Sequence, residues 1–140
     1  MNDTAMCLIR DLRDEERAFV LSSWLKSYRN APHMRLVDNA TYYAKQAANI
    51  IAMLDCSRCL VAADPEEDTV LWGFIVVEYD YCHYVYVKHL MRHHGLARSL
   101  WHAAGKPPQA SALTHAGEAI LKAHQDVLRF DPFAVQSLRQ

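Results

Sequence analysis

From Val87 to Arg98 the chain places Lys88, Arg92 and Arg98 among three titratable histidines, His89, His93 and His94, with no acidic residue between them. Elsewhere the charges balance. The 15 Lys and Arg against 16 Asp and Glu leave a net charge of −1, so the cationic segment is a local feature. A β-branched apolar run, Val85-Tyr86-Val87, leads into it, and Leu96, Leu100 and Ala103 follow at helical spacing. The pattern predicts strand, turn and helix, with Gly95 in the turn. Backbone N–H groups at a helix start point outward and together carry about half a positive charge, so such a junction can hold an anion, and a phosphate-bearing ligand suits it. On charge and spacing alone, an ordinary strand-to-helix connection with solvated basic residues stays open as the alternative.

The elements that must position this segment are readable from hydrophobic pattern. Met6 to Leu12 suits a first strand, and Asp14 is expected to cap a helix whose apolar face is Ala18, Leu21, Leu25 and Tyr28, flanked by Trp24. After Asn30 and Pro32 stop that helix, a polar exposed connection from His33 to Asp38 leads to a second helix from about Asn39. Its periodic residues are Tyr43, Ala47, Ile50, Ile51 and Leu54. Arg58 to Ala63 and Val70 to Val77 read as strands joined by the acidic turn Asp64 to Asp68, an antiparallel hairpin, and Tyr81 to Val87 as the next strand. Gly105-Lys106-Pro107-Pro108 stops the third helix, Gln109 to Thr114 is a short strand, and Gly117 to Leu128 a helix. This order predicts one mixed α/β (α+β) sheet, largely antiparallel and flanked by helices, in a single domain.

A chain of 140 residues is near the usual size of one domain and buries about two thirds of its unfolded surface. At 51% hydrophobic and 22% charged residues it is expected to fold. No apolar run reaches the length of a membrane span and no signal peptide is evident, which predicts a cytoplasmic protein. Cys7, Cys56, Cys59 and Cys82 are few for a disulfide scaffold. Cys56-Ser57-Arg58-Cys59 has zinc-knuckle spacing but no second ligand pair, so these residues are read as small, mostly buried thiols, with no metal site. A pI of 6.7 without a broad basic face discourages nucleic-acid binding.

Arg92-His93-His94-Gly95-Leu96-Ala97, following the strand that ends at Val87, resembles the Arg/Gln-x-x-Gly-x-Gly/Ala signature of the GNAT acyltransferase superfamily. The Leu8-Ile9-Arg10 opening before an acidic helix start and the Trp72-Gly73-Phe74 strand also resemble that family, from about Met6 to Pro132. Tyr84 to Lys88 and the Phe130-Asp131-Pro132-Phe133 ending are similar to short bacteriophage-encoded GNAT-like proteins, which would place the chain in a host cytoplasm. The resemblance implies a GNAT-like domain with a shortened C-terminal part, and acetyl-CoA as cofactor. Its pyrophosphate would lie on the backbone of His94 to Ala97, with Gly95 permitting close approach. Val87 would offer backbone groups to the pantetheine arm, and Lys88, Arg92, His93 and Arg98 would surround the phosphates.

Acyl transfer needs a neutral amine, and the family commonly supplies a carboxylate or histidine as general base. Glu78, Asp80 and His83, at the junction of the third and fourth strands, are the candidates, with solvated turn residues and a packed histidine as the structural alternatives. The tyrosine that the family often places on its last helix to protonate the CoA thiolate has no counterpart, since no tyrosine follows Tyr86. Ser111, Thr114, His115, His124 or water are the possible substitutes, and a thiol with a pKa of about 8.5 leaves readily without one. Tyr28, Tyr42 and Tyr43 read as core ahead of acceptor lining, and Trp24, Trp72 and Trp101 as packing. The resemblance thus implies an acetyl-CoA-dependent N-acyltransferase with an unidentified amine acceptor, possibly a protein. The alternative is a catalytically inactive GNAT-fold protein that docks on a host partner.

Overall fold

The computed structural model describes residues 7–29, 31 and 34–110, together with the backbone of 129–130. Six strands form one sheet in the order of the chain: β1 (Leu8–Asp11), β2 (Arg58–Ala63), β3 (Leu71–Glu78), β4 (Tyr81–Val87), β5 (Gln109–Ala110) and β6 (Arg129–Phe130). Neighbours from β1 to β4 are antiparallel, whereas β4, β5 and β6 run parallel. The mixed, largely antiparallel sheet expected from the pattern is therefore present. The short β6 is an addition to it, and the predicted helix from Gly117 to Leu128 lies outside the described residues.

Helices cover both faces of the sheet. α3 (Leu96–Ala103) drives Leu96, Leu100 and Trp101 onto one face, against Leu60, Ala62, Ile75, Val77, Val85 and Val87. α1 (Arg17–Tyr28) and α2 (Asn39–Cys56) cover the other, where Val20, Trp24, Ile50 and Leu54 meet Val61, Phe74, Val76 and Tyr84. A sheet buried on both faces explains why β2, β3 and β4 read as nearly continuous apolar runs. Each fully buried Leu, Ile or Phe contributes about 1.5–3 kcal/mol relative to an exposed one.

Local details correct the expected helix boundaries and faces. Asp14 does not cap a long helix; it opens a 3-10 turn, Asp14–Glu16, ahead of α1. Glu16 is the organising acid: its carboxylate accepts from both terminal nitrogens of Arg10 at 2.8 and 2.7 Å and from the Arg13 backbone N–H at 3.0 Å. Arg10 also donates to the Asp68 carbonyl, and Arg13 pairs with the Asp68 carboxylate at 2.8 Å, which ties β1 to the β2–β3 turn. The buried face of α1 is Val20 and Trp24, while Ala18 is exposed and Leu21, Leu25 and Tyr28 are half-buried. On α2, Tyr42 packs inward and Tyr43 and Ile51 face outward. Asp38 caps α2 by accepting from the Thr41 N–H at 2.9 Å. Among the described residues no helix is long and apolar enough to cross a membrane.

Candidate active site

Of the three candidate bases, two meet. Glu78 closes β3 and His83 lies near the start of β4, and His83 Nε2 sits 2.7 Å from Glu78 Oε1. The juxtaposition follows from a bulge: Val76 pairs with Tyr84 but Val77 pairs with Cys82, so His83 is the extra residue on β4 and is left out of the ladder. The His83 side chain is fully buried, while that of Glu78 keeps 7% of its surface. Both side chains are buried, Glu78 slightly less so than His83. Asp80 stays apart, exposed in the turn, where its backbone carbonyl accepts from the Gln109 N–H at 3.2 Å and holds the turn to β5.

The other end of β4 carries the basic segment. Val87 is buried and pairs with Gly73, where a Cβ would stand only 2.4 Å from the Tyr86 carbonyl oxygen. Glycine lets β3 and β4 approach this closely, which gives Trp72-Gly73-Phe74 a packing reason. The Lys88 N–H then bonds the Trp72 carbonyl at 2.8 Å, and His89–Met91 forms a 3-10 turn. Arg92 folds back so that Nε donates to the Val87 carbonyl at 3.1 Å. The Lys88 ammonium stands 5.4 Å from the ring centre of Phe19, on the α1 face. These two cations therefore brace the end of the strand, whereas Arg98 is exposed on α3.

His93 and Gly95 both adopt left-handed backbone, at φ 70° and 78°, and Gly95 is the residue ahead of α3. The first α3 hydrogen bond runs from the Ser99 N–H to the Gly95 carbonyl, so the amides of Leu96, Ala97 and Arg98 precede the helical ladder. Leu96 anchors this turn through its buried side chain; His93, His94 and Gly95 are exposed. A left-handed turn ahead of leading helix amides, with no acid nearby in sequence, is an arrangement that could hold an anion.

Between these ends, β4 turns tyrosines toward α1. Tyr84 stacks on Trp24 at 4.6 Å, meets Tyr28 edge-on, and its hydroxyl bonds Ser27. Burial pushes the Tyr84 and Tyr28 hydroxyls up from their ordinary pKa and takes Tyr42 to about 12, so these groups hold their protons at neutral pH. Tyr42 donates to the Leu25 carbonyl at 2.6 Å and lies under Arg29. Tyr42 is thus core as expected, and Tyr43 is exposed at 44%. Trp24 and Trp101 are buried packing residues, and Trp72 packs half-buried beside the α3 core. The cysteines are only partly as expected. Cys59 and Cys82 are buried, which pushes both thiols up to about 12, but Cys56 is exposed. Among the described residues no cluster of His, Cys, Asp or Glu could hold a metal.

No protein-family model matches the chain, and no curated protein matches it in sequence. Solved structures do. The apo form of YjaB from Escherichia coli is 21% identical, with a TM-score of 0.58 over 86% of this chain and 80% of that one. A possible acetyltransferase from Clostridium difficile is 12% identical at a TM-score of 0.54, over 96% and 90%. A GCN5-related N-acetyltransferase from Rhodopseudomonas palustris is 16% identical at the same score, over 72% and 64%. All three are bacterial. The chain shares the fold of these proteins, two of which are described as acetyltransferases.

Proposed function

We propose that this protein is an acetyl-CoA-dependent N-acyltransferase of the GNAT superfamily that acetylates an amine. The observation that carries the reading is the placement of two unlike sites on one strand: a buried carboxylate–imidazole pair near the start of β4 and an anion cradle at its end. From His83 to Val87 the extended strand spans about 13 Å, a length that suits a pantetheine arm laid along it.

In this reading the leading amides of α3, with Gly95 giving access, hold the diphosphate, and Arg98 adds charge beside it. Arg92 and Lys88 support that grip from behind by fixing the end of β4. When bound, acetyl-CoA supplies an activated acyl group with a thiolate leaving group. Glu78, the less buried member of the pair, takes the proton from the acceptor ammonium, directly or through one water, and so frees the lone pair that attacks. His83 orients it through their hydrogen bond at 2.7 Å. The amine nitrogen forms the new C–N bond as the C–S bond breaks, and the thiolate departs as such or is protonated by water. The buried Tyr42 and Tyr84 and the half-buried Tyr28 are poor acids in this setting, and of the named substitutes Ser111, Thr114, His115 and His124 lie outside the described residues, so the step is written with water.

The test is a thiol-release assay with acetyl-CoA over monoamines, diamines and basic peptides. Release that depends on the amine supports the reading. Cofactor binding with no release over any amine would favour the alternative in which the fold serves as a docking module.

A further inference from the structure

The β3–β4 turn carries an unfavourable arrangement that packing does not explain. Glu78 pairs with Tyr81, so Tyr79 and Asp80 alone make the turn. Tyr79 has φ 53°, in the left-handed region that two-residue hairpin turns usually give to Gly, Asn or Asp. A bulky residue there is strained, and burial of the ring would be the usual compensation. Tyr79 instead leaves 82% of its surface exposed. Strain held at an uncompensated position points to function, and this one adjoins Glu78, the less buried half of the pair. The tip is also held firmly, because the Asp80 carbonyl is bonded to the start of β5.

We propose that Tyr79 and Asp80 are the acceptor platform and select amines that carry a second positive charge. The inference rests on the acyltransferase reading above. An aromatic ring and a carboxylate exposed on adjacent residues of one turn can both attract a cation, the ring through its quadrupole and the carboxylate through charge, so a diamine binds ahead of a monoamine of the same length. A fixed hairpin tip holds the charged end of the acceptor while its other amine reaches the pair.

The experiment compares 1,4-diaminobutane with butylamine in the thiol-release assay, for wild type, Tyr79→Asn, Tyr79→Phe and Asp80→Asn, with Tm recorded for each. Wild type is expected to prefer the diamine on the order of tenfold in kcat/KM. Tyr79→Asn and Asp80→Asn should erase most of that preference through KM, and Tyr79→Phe should keep it. Because asparagine tolerates left-handed backbone, Tyr79→Asn should leave Tm unchanged or raise it. An equal use of both amines by wild type, an unchanged ratio in Tyr79→Asn, or a Tm several degrees lower in that variant overturns the proposal. Turnover of neither amine while basic peptides are acetylated, or turnover of both without preference, overturns the platform alone, whereas no release over any amine or peptide overturns the acyltransferase reading and this inference with it.

Discussion

Near its start β4 carries His83, fully buried and hydrogen-bonded to Glu78, and at its end it passes the chain to a loop where His93, His94 and Gly95 are all exposed. The two buried side chains are held together by that hydrogen bond. At the open end His93, His94, Gly95 and Arg98 are exposed to water, while Lys88 and Arg92 turn back to brace the strand. The contrast teaches that one strand can bury a hydrogen-bonded acid and imidazole near its start and open a basic loop to water at its end.

The largest effect should come from the buried end. Glu78→Gln keeps a hydrogen-bonding side chain but removes the base, and should lower kcat about 10²- to 10⁴-fold with CoA affinity unchanged, as measured by thiol release and calorimetry. An undiminished kcat would break the assignment of roles between the two ends.

Next in size is Gly73→Ala, which probes the brace behind the open end. The added Cβ would meet the Tyr86 carbonyl at 2.4 Å, and backbone cannot yield as a flexible side chain can. Urea unfolding should show a loss of about 3 kcal/mol. Gly95→Glu follows: a side chain in left-handed backbone and a negative charge facing the cradle should weaken CoA binding about 100-fold while circular dichroism shows the fold retained.

The smallest effect belongs to neither end. Hydrogen bonds from Arg10 hold the Glu16 carboxyl below its ordinary value of 4.5, and Arg13 does the same for Asp68. A carboxyl with a depressed folded-state pKa stabilises above its unfolded value and loses that contribution as pH falls through the folded one. Thermal stability should therefore be flat near neutrality and decline below about pH 4.5. Glu16→Gln should flatten that decline.

Much of this fold was legible in the chain. β2, β3, β4 and α3 follow from apolar runs and helical spacing, and Asp38 caps α2 where the periodicity begins. Spacing could not choose the face of α1. Leu21 and Leu25 are as apolar as Val20, and only the stack of Trp24 on Tyr84 settles the rotation. The same limit put Tyr43 and Ile51 on the wrong side of α2. In the site, Glu78, Asp80 and His83 were all visible as candidates. Their sorting into a pair and an outlier depends on a bulge that shifts the register by one residue, which no local pattern announces. Lys88 looked like one more phosphate ligand in a basic run, yet its ammonium stands over Phe19, a residue far away in sequence. Tyr79 did leave a signal, an aromatic residue where a two-residue turn expects Gly or Asn, but it could be read only once the pairing of Glu78 with Tyr81 fixed the length of the turn.

The central claim is that the open end of β4 binds the cofactor independently of the chemistry at its buried end. Calorimetric titration of CoA into wild type, Glu78→Gln and Gly95→Glu tests it most directly. Equal affinity in the first two and loss of binding in the third is the predicted result. No binding by wild type at high micromolar CoA, or undiminished binding by Gly95→Glu, would contradict it.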